Sequence, residues 1–481
     1  MKCTFKMRRM PFLAVAAMAA AACAAPLEIG EAFSDASFWK SNPVMFVKKH
    51  QDNGFKFTDE NREGADSRLG GGVTCFGLPV YESRIAFDGN NGISRVELML
   101  YTTAGTERRS VIDLGDGRKR ISQERQEEAP ITRDQFVDIM KKVRAELTPS
   151  GGKAPQQVAE NLHMRNVVQK SQTWPKTDMP SVATLTWNYT QEGKKANTFK
   201  PGFVRLVVEG PAALAQAKSS GGANAKKLAK GTKSIVDNVV RDPRGDVFID
   251  NVPMVDQGQK GYCAAATSER VLRYYGVSVD EHEIAQAAGT SAEEGTTSKG
   301  MKDSVAAVGK KYKLATVVTY GDFEKPVEER IDGLLKEAAN YNKAAKKLKK
   351  KEITEDVFVT RHGNMMTFNP RALDEAMDPE VLLEMKVNGS QKSKFKKFMA
   401  DIHQQVDKGI PLFWGLTLGI YPEADIPQAR GGHMRLIIGY NDKKGEVLYT
   451  DTWGKGHELK RMPADWAFTA SHCLMYMKPL R

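Results

Sequence analysis

A low-complexity segment near the middle of the chain limits how the sequence can fold. Residues 211–234 consist mainly of Ala, Ser, Gly and Lys, and the run Ser219-Ser220-Gly221-Gly222 is typical of a flexible linker. The 481 residues are enough to form more than one hydrophobic core, with this segment between them. We therefore predict an N-terminal domain over 25–210, a linker over 211–245 and a second domain over 246–481.

Local patterns predict helices and strands on both sides of the linker, which makes the expected fold class α+β. Thr132 and Gln135 form a capping box in front of a helix over about 133–147. Alternating apolar residues at 183–189 predict a strand. In the second domain a helix is expected to start at or just before Cys263, and buried strands are expected at 411–416, 435–439 and 447–450.

Composition and charge exclude several classes of protein. Apolar residues make up 41% and charged residues 27%, which argues against a mostly disordered chain. The net charge of +12 is too diffuse to indicate specific nucleic-acid binding, and four of the positive charges lie within residues 1–9. No apolar run of about 18 residues or more occurs beyond the N-terminus, so no transmembrane domain is expected.

The N-terminus has the features of a secretory signal peptide. A basic stretch ends at Arg9, an apolar stretch covers residues 12–22, and the small residues Ala22-Cys23-Ala24 form a cleavage site. We therefore predict a signal peptide over 1–24 and a secreted, periplasmic or cell-envelope protein. Lipidation of Cys23 is the alternative.

Cysteine usage indicates a free thiol. Removal of the signal peptide leaves Cys75, Cys263 and Cys473, an odd number in an exported protein. Cys75 and Cys473 either form a disulfide between the two domains or remain as two buried thiols, and both alternatives stay open. An odd cysteine in such a protein is a candidate reactive group.

Three segments of the second domain carry side chains suited to catalysis. At the start of a helix, the thiolate of Cys263 would be stabilised by the helix dipole and unpaired backbone N–H groups. Gln257, six residues earlier, can form an oxyanion hole with the Cys263 backbone N–H. His433 precedes a buried strand, and Asp451, 18 residues later, can return on a hairpin to the imidazole. Trp453 is expected to cover that hydrogen bond.

The order Gln, Cys, His, Asp resembles that of the papain-like cysteine peptidases. The interval between Gln257 and Cys263 is similar to theirs, as is the ending Asp451-Thr452-Trp453-Gly454. Residues 252–257, 261–266, 409–411 and 432–433 resemble the C39-like branch of these enzymes. The resemblance covers about 246–481 and implies a papain-like, two-lobed domain with a helical lobe and an antiparallel sheet lobe.

The resemblance also implies roles for four side chains. Cys263 would be the nucleophile, His433 the general base and acid, Asp451 the residue that orients the imidazole, and Gln257 the oxyanion donor. The interval of 170 residues between Cys263 and His433 is longer than that branch usually has, which implies a Lys-rich helical insertion over about 323–400.

Other polar residues carry weaker signals. His457 is a rival base, but its position in a Gly-Lys-Gly turn favours a surface loop. The remaining histidines are scattered along the sequence. No second pair accompanies His472-Cys473 at metal-ligand spacing, so neither a metal nor a cofactor is expected. The lysine-rich run from Lys343 to Lys351 either forms a solvated helix face or binds an anionic surface polymer.

The activity implied by the resemblance is hydrolysis of peptide bonds in a protein or peptide substrate through a thioester acyl-enzyme. A transglutaminase-like acyltransferase is an alternative, against which Gln257 argues. A non-catalytic cell-surface binding protein with a decayed site is another, against which the presence of all four side chains argues. The N-terminal domain is expected to be a pro-domain or a binding module.

Overall fold

A computed structural model gives the three-dimensional structure of the chain. The residues that it describes are 26–58, 62, 64–68, 72–88, 92–102, 106–113, 119–126, 131–150, 152–161, 167–174, 181–190, 199–211, 213–214, 235–257, 262–277, 284–285, 302, 306, 309, 313–321, 327–362, 365–423, 426 and 430–479. The predicted signal peptide with Cys23, and residues 215–234 of the predicted linker, lie outside the described residues.

The N-terminal region is a mixed region of strands and short helices with one long helix. In chain order its elements are β1 (Leu27–Glu28), α1 (Ala36–Trp39), α2 (Pro43–Lys49), β2 (Lys56–Phe57), β3 (Gly64–Arg68), β4 (Val73–Cys75), β5 (Leu78–Pro79), β6 (Glu82–Phe87), β7 (Ile93–Thr102), β8 (Thr106–Asp113), β9 (Lys119–Gln126), α3 (Arg133–Leu147), β10 (Val158–Asn161), β11 (Val167–Trp174), β12 (Val182–Thr190) and β13 (Lys200–Glu209).

The core of this region lies between an antiparallel sheet and α3. The sheet has the order β10-β11-β12-β13-β7-β6-β3-β2. Helix α3 buries Phe136, Met140 and Val143 in a hydrophobic cluster drawn from residues 29–208. The capping box predicted from the sequence is confirmed, because Thr132 Oγ1 accepts from the backbone N–H of Gln135 at 3.2 Å and Gln135 Oε1 accepts from that of Thr132 at 2.8 Å.

The C-terminal region combines a second antiparallel sheet with several helices. Its elements are β14 (Val239–Arg241), β15 (Val247–Ile249), α4 (Cys263–Tyr274), β16 (Leu314–Tyr320), α5 (Val327–Leu348), β17 (Val359–His362), β18 (Met365–Phe368), α6 (Pro370–Ala376), α7 (Pro379–Leu383), a π-helical turn (Glu384–Asn388), α8 (Lys392–Val406), β19 (Leu412–Leu418), β20 (Gly431–Asn441), β21 (Glu446–Thr450), β22 (Lys460–Pro463), α9 (Ala464–Ala470) and β23 (Ser471–Pro479).

The second sheet forms the base of the candidate site. Its order is β14-β15-β20-β19-β23-β16, and β21 and β22 extend it from β20. The strands predicted at 411–416, 435–439 and 447–450 correspond to β19, β20 and β21 and are confirmed. Helix and sheet contribute to both regions, so the fold is α+β.

Helix α4 packs closely against the sheet because small residues line its first turn. Ala264, Ala265 and Ala266 are buried, and Thr267 Oγ1 donates to the backbone carbonyl of Met434 in β20 at 3.3 Å. The helix ends before Gly276, whose φ of +76° is the left-handed conformation that terminates helices. Helix α4 thereby holds its first residue, Cys263, beside the beginning of β20.

Segments between the two predicted domains and within the second also belong to the C-terminal packing. Strand β14, at the end of the 211–245 segment, pairs with β15. Helices from the 323–400 segment contribute Tyr341, Val381 and Phe398 to one hydrophobic cluster, which also contains the core of the second sheet and is drawn from residues 247–477.

The disulfide alternative for Cys75 and Cys473 is wrong. Both thiols are free and buried, Cys75 in the hydrophobic cluster of the N-terminal region and Cys473 in that of the C-terminal region. A bridge would require these two cores to come within the span of about 7 Å that a disulfide allows.

Carboxylates form ion pairs with several lysines of the lysine-rich run from Lys343 to Lys351. Lys346 Nζ lies 3.3 Å from Glu352 Oε2, and Lys350 Nζ lies 3.0 Å from Asp378 Oδ2 and 2.5 Å from Glu380 Oε2. The structure therefore does not support an anionic surface polymer as a partner of this run. Within the described part of the chain, no helix combines the length and apolar composition needed to span a bilayer.

Candidate active site

Cys263 and His433 meet where α4 faces β20. Cys263 is the first residue of α4 and is partly buried, whereas His433 lies near the start of β20 and is 6% exposed. The two side chains are hydrogen-bonded. His433 Nε2 donates to Asp451 Oδ1 at 2.6 Å, which leaves Nδ1 of the ring for the thiol.

The hairpin of β20 and β21 explains why Asp451 returns to His433. The strands pair antiparallel, with Leu436 opposite Thr450, so the residue that follows β21 reaches the early part of β20. Asp451 is fully buried there, and its Oδ1 also accepts from the backbone N–H of Thr452 at 2.7 Å.

In the buried pair of His433 and Asp451, each side chain stabilises the charged form of the other. Burial alone would raise the pKa of Asp451, but the charges of His433 and Arg435 and the hydrogen bonds from His433 and the Thr452 backbone hold it well below its usual value. Burial alone would lower the pKa of His433, but Asp451 and the hydrogen bond with Cys263 outweigh it and raise that pKa. The site therefore favours a carboxylate beside a protonated imidazole.

Trp453 covers the His433–Asp451 pair. Its ring stacks on the imidazole with centroids 4.5 Å apart and an interplanar angle of 19°. The next residue, Gly454, has φ +76°, and a Cβ there would lie 2.8 Å from Asp256 Oδ2. This turn therefore requires glycine for its conformation and for its close approach to the segment before Gln257.

His457 lies away from the position that a rival base for Cys263 would need. Its backbone carbonyl accepts from the N–H of Asp451 at 2.9 Å, and its ring lies edge-on to Trp453 with centroids 5.7 Å apart. His457 thus supports the turn that carries Asp451.

Gln257 is joined to the same turn. Its side chain is fully buried, and its Oε1 accepts from Thr452 Oγ1 at 2.5 Å. Its backbone N–H donates to the carbonyl of Thr452 at 2.8 Å. Thr452 therefore fixes which end of the Gln257 amide carries the oxygen and links that amide to Asp451, a role that the sequence did not indicate.

Two buried arginines that sequence analysis missed complete the surroundings of Asp451. Arg435 Nε donates to Asp451 Oδ2 at 2.5 Å, and Arg270 Nη1 donates to the Asp451 backbone carbonyl at 2.6 Å. A signal for each was present in the sequence. Arg435 is two residues after His433 in a strand, hence on the same face, and Arg270 is two helical turns after Cys263.

Metal binding finds no support among the described residues, where no group of three or more His, Cys, Asp or Glu side chains is arranged to hold an ion. What the arrangement can supply is a thiol, an imidazole and a carboxylate in one hydrogen-bonded row. Such a row can move a proton from sulfur to nitrogen and keep the resulting charges paired.

Comparison with known proteins gives one family. Residues 331–474 match the model described as the Peptidase_C39 like family. The match includes His433 and Asp451 and most of the 323–400 segment, and it starts after Gln257 and Cys263. No curated protein matches the chain. Over these residues the C-terminal region is therefore similar to the C39-like, papain-like peptidases.

Proposed function

We propose that the protein is a secreted cysteine peptidase that hydrolyses peptide bonds. One observation carries the proposal: the hydrogen-bonded row Cys263–His433–Asp451, with Gln257 tied to the residue after Asp451. A histidine buried only for packing would need one hydrogen-bond partner for each ring nitrogen, of any chemical kind. The two partners of His433 are a thiol at a helix start and a buried carboxylate. That combination is the one that activates a cysteine nucleophile.

In the proposed mechanism the first half-reaction forms a thioester. The Cys263 thiolate attacks the carbonyl carbon of the substrate, and the C=O electron pair moves onto oxygen. The Gln257 amide and the Cys263 backbone N–H stabilise this oxyanion. Protonated His433 gives its proton to the leaving amine as the C–N bond breaks.

The second half-reaction releases the acid. His433, now neutral, takes a proton from water while the water oxygen attacks the thioester carbonyl. Collapse of the tetrahedral intermediate expels the thiolate, and His433 is again protonated. Asp451 keeps the ring oriented and its positive charge paired throughout. The raised pKa of His433 supports this cycle, because it favours the protonated imidazole beside Asp451.

The proposal extends to the architecture. We propose that the C-terminal region has the two-lobed papain arrangement, with α4 on one lobe and the β20–β21 hairpin on the other. The N-terminal region would be a separate pro-domain or binding module beside the cleft. Lys56 Nζ in β2 lies 3.7 Å from Asp256 Oδ2, next to Gln257, and the carbonyl of Thr58 approaches Gly454. These contacts favour a pro-domain that acts on the site.

The test of the activity uses the full-length chain from residue 25 and denatured casein as substrate. Cys263→Ala should abolish peptide release and leave the circular dichroism spectrum unchanged, and Cys473→Ala, in the core, serves as the matched thiol control. Full turnover by Cys263→Ala would remove the nucleophile. Incorporation of a primary amine in preference to hydrolysis would favour the transglutaminase-like alternative. Failure of wild-type Cys263 to react with iodoacetamide near neutral pH would favour a binding protein.

A further inference from the structure

Asp451 shares its two carboxylate oxygens between two cations of β20. Oδ1 accepts from His433, and Oδ2 accepts from Arg435 Nε at 2.5 Å. Both β20 side chains point to one face of the sheet because they are two residues apart. The negative charge that stabilises the imidazole is therefore divided with a fully buried guanidinium.

Arg435 has a carboxylate partner of its own. Its Nη1 lies 3.1 Å from both Oε1 and Oε2 of Glu423, and the hydroxyl of Tyr449 donates to Glu423 Oε1. Glu423 is 9% exposed. His433, Asp451, Arg435 and Glu423 thus form a row of alternating charge in the protein interior. A buried ion pair of this kind is weak evidence for added stability, because desolvation offsets most of the attraction.

The same guanidinium also lies beneath the ring that covers the imidazole. Its Cζ is 5.8 Å from the centroid of Trp453 and 4.6 Å from that of Tyr449. Arg435 therefore contacts both groups that fix His433, the carboxylate at its edge and the indole on its face. Its position links the orientation of Asp451 to that of Trp453.

We propose that Arg435, held by Glu423, is a positioning residue of the peptidase site that fixes Asp451 and sets how strongly its charge stabilises the protonated imidazole. The inference rests on the proposed function. Arg435 moderates the charge of Asp451, and Glu423 moderates that of Arg435. Among the described residues, the charged and titratable groups around His433 are Cys263 and Arg270 on α4, Arg435 on β20, Tyr449 on β21, Glu423, and Asp451, His457 and Glu458 after β21.

Two variants should move the pKa of His433 in opposite directions. In Glu423→Gln the charge of Arg435 is no longer balanced, so protonation of His433 is opposed and the alkaline limb of kcat/KM moves to lower pH. In Arg435→Met/Glu423→Gln the pair is removed as a unit and leaves no buried charge alone, so the full charge of Asp451 acts on His433 and the limb moves to higher pH. Each shift should be about 0.5–1 pH unit, smaller than that from a directly adjacent charge.

The activity should respond as well. Without Arg435, Asp451 loses a fixed partner, and kcat/KM at the new optimum should fall about 10- to 100-fold. Arg435→Lys should keep the positive charge beside Asp451 and therefore leave the alkaline limb of kcat/KM near its wild-type pH. It should lose one of the two contacts to Glu423. The matched control is Arg361→Met/Glu355→Gln, an exposed ion pair in the same region, which should leave the profile unchanged.

The pH dependence of Cys263 alkylation by iodoacetamide separates this inference from the proposed function. In the folded protein, alkylation of Cys263 reports the thiolate paired with His433 and needs no peptide substrate, and the upper pKa of its pH profile should shift in the same two directions. If hydrolysis is absent but the alkylation profile shifts as expected, the peptidase activity is contradicted and the positioning role of Arg435 stands. An unmoved upper limb in both variants, whatever their stability or activity, would overturn the positioning role.

Discussion

Arg270 joins the helix of the candidate nucleophile to the backbone of Asp451, whose carbonyl accepts from Arg270 Nη1 at 2.6 Å. The same guanidinium donates to the Pro253 carbonyl at 2.7 Å and to Thr450 Oγ1 at 2.6 Å. Burial lowers the pKa of Arg270 only to about 10, so the side chain stays charged at neutral pH. One fully buried cation thus connects α4, the segment leading to Gln257 and the end of β21.

Replacing Arg270 should destabilise the C-terminal region. In Arg270→Met three carbonyl and hydroxyl acceptors lose a charged donor, and the free energy of unfolding should fall by about 3–5 kcal/mol. The thermal unfolding midpoint of that region should fall by about 10 °C, measured by circular dichroism. Arg361→Met, which removes an exposed ion pair with Glu355, should cost under about 1 kcal/mol. Equal effects of the two variants would contradict the structural role of Arg270.

Asp451→Asn should shift the pH dependence of activity. Asp451 raises the pKa of His433, so removing its charge lets burial lower that pKa, and the imidazolium is lost at lower pH. The alkaline limb of kcat/KM should therefore move to lower pH, and the maximum should fall about 10²- to 10⁴-fold. The control is Asp442→Asn, at an exposed carboxylate 3.0 Å from His403, which should change neither value. A full maximal rate for Asp451→Asn would contradict the assigned role.

Gln257 and Thr452 should show a graded effect on the rate. Gln257→Ala removes the proposed oxyanion donor and should lower kcat about 10²- to 10³-fold with little change in KM. Thr452→Val removes the hydroxyl that holds Gln257 Oε1, so the amide loses its fixed orientation and kcat should fall about 10-fold. Thr452→Ser should restore most of the rate because it keeps the hydroxyl. An equal loss in Thr452→Ser and Thr452→Val would rule out orientation by the hydroxyl.

The three cysteines should differ sharply in alkylation. Cys263 is partly exposed at a helix start, whereas burial raises the pKa of Cys473 to about 11 and that of Cys75 well above its usual value. Iodoacetamide at neutral pH should therefore modify Cys263 alone in the folded protein, as measured by peptide mass spectrometry. All three should react in urea. Modification of Cys473 at the rate of Cys263 without denaturant would show that the core opens.

Much of the secondary structure could be predicted because its signals are local. The capping box at Thr132 and the alternation along 183–189 involve residues within one turn or one strand, so their outcome does not depend on distant contacts. The strands β16 and β23 were not predicted. Thr316 of β16 pairs with Met477 of β23, more than 150 residues later, and neither segment alone indicates that pairing.

For the candidate site, the sequence alone determined which side chains could form a catalytic group, since a helix start, a strand start and their spacing are readable locally. Tertiary structure decided the partners. Arg270 and Asp451 are 181 residues apart, and Arg435 of β20 meets Glu423, which precedes that strand, in the protein interior. Buried ionic contacts depend on the relative placement of whole elements, which hydrophobic packing fixes, so the sequence positions of Arg270 and Arg435 do not by themselves identify their partners.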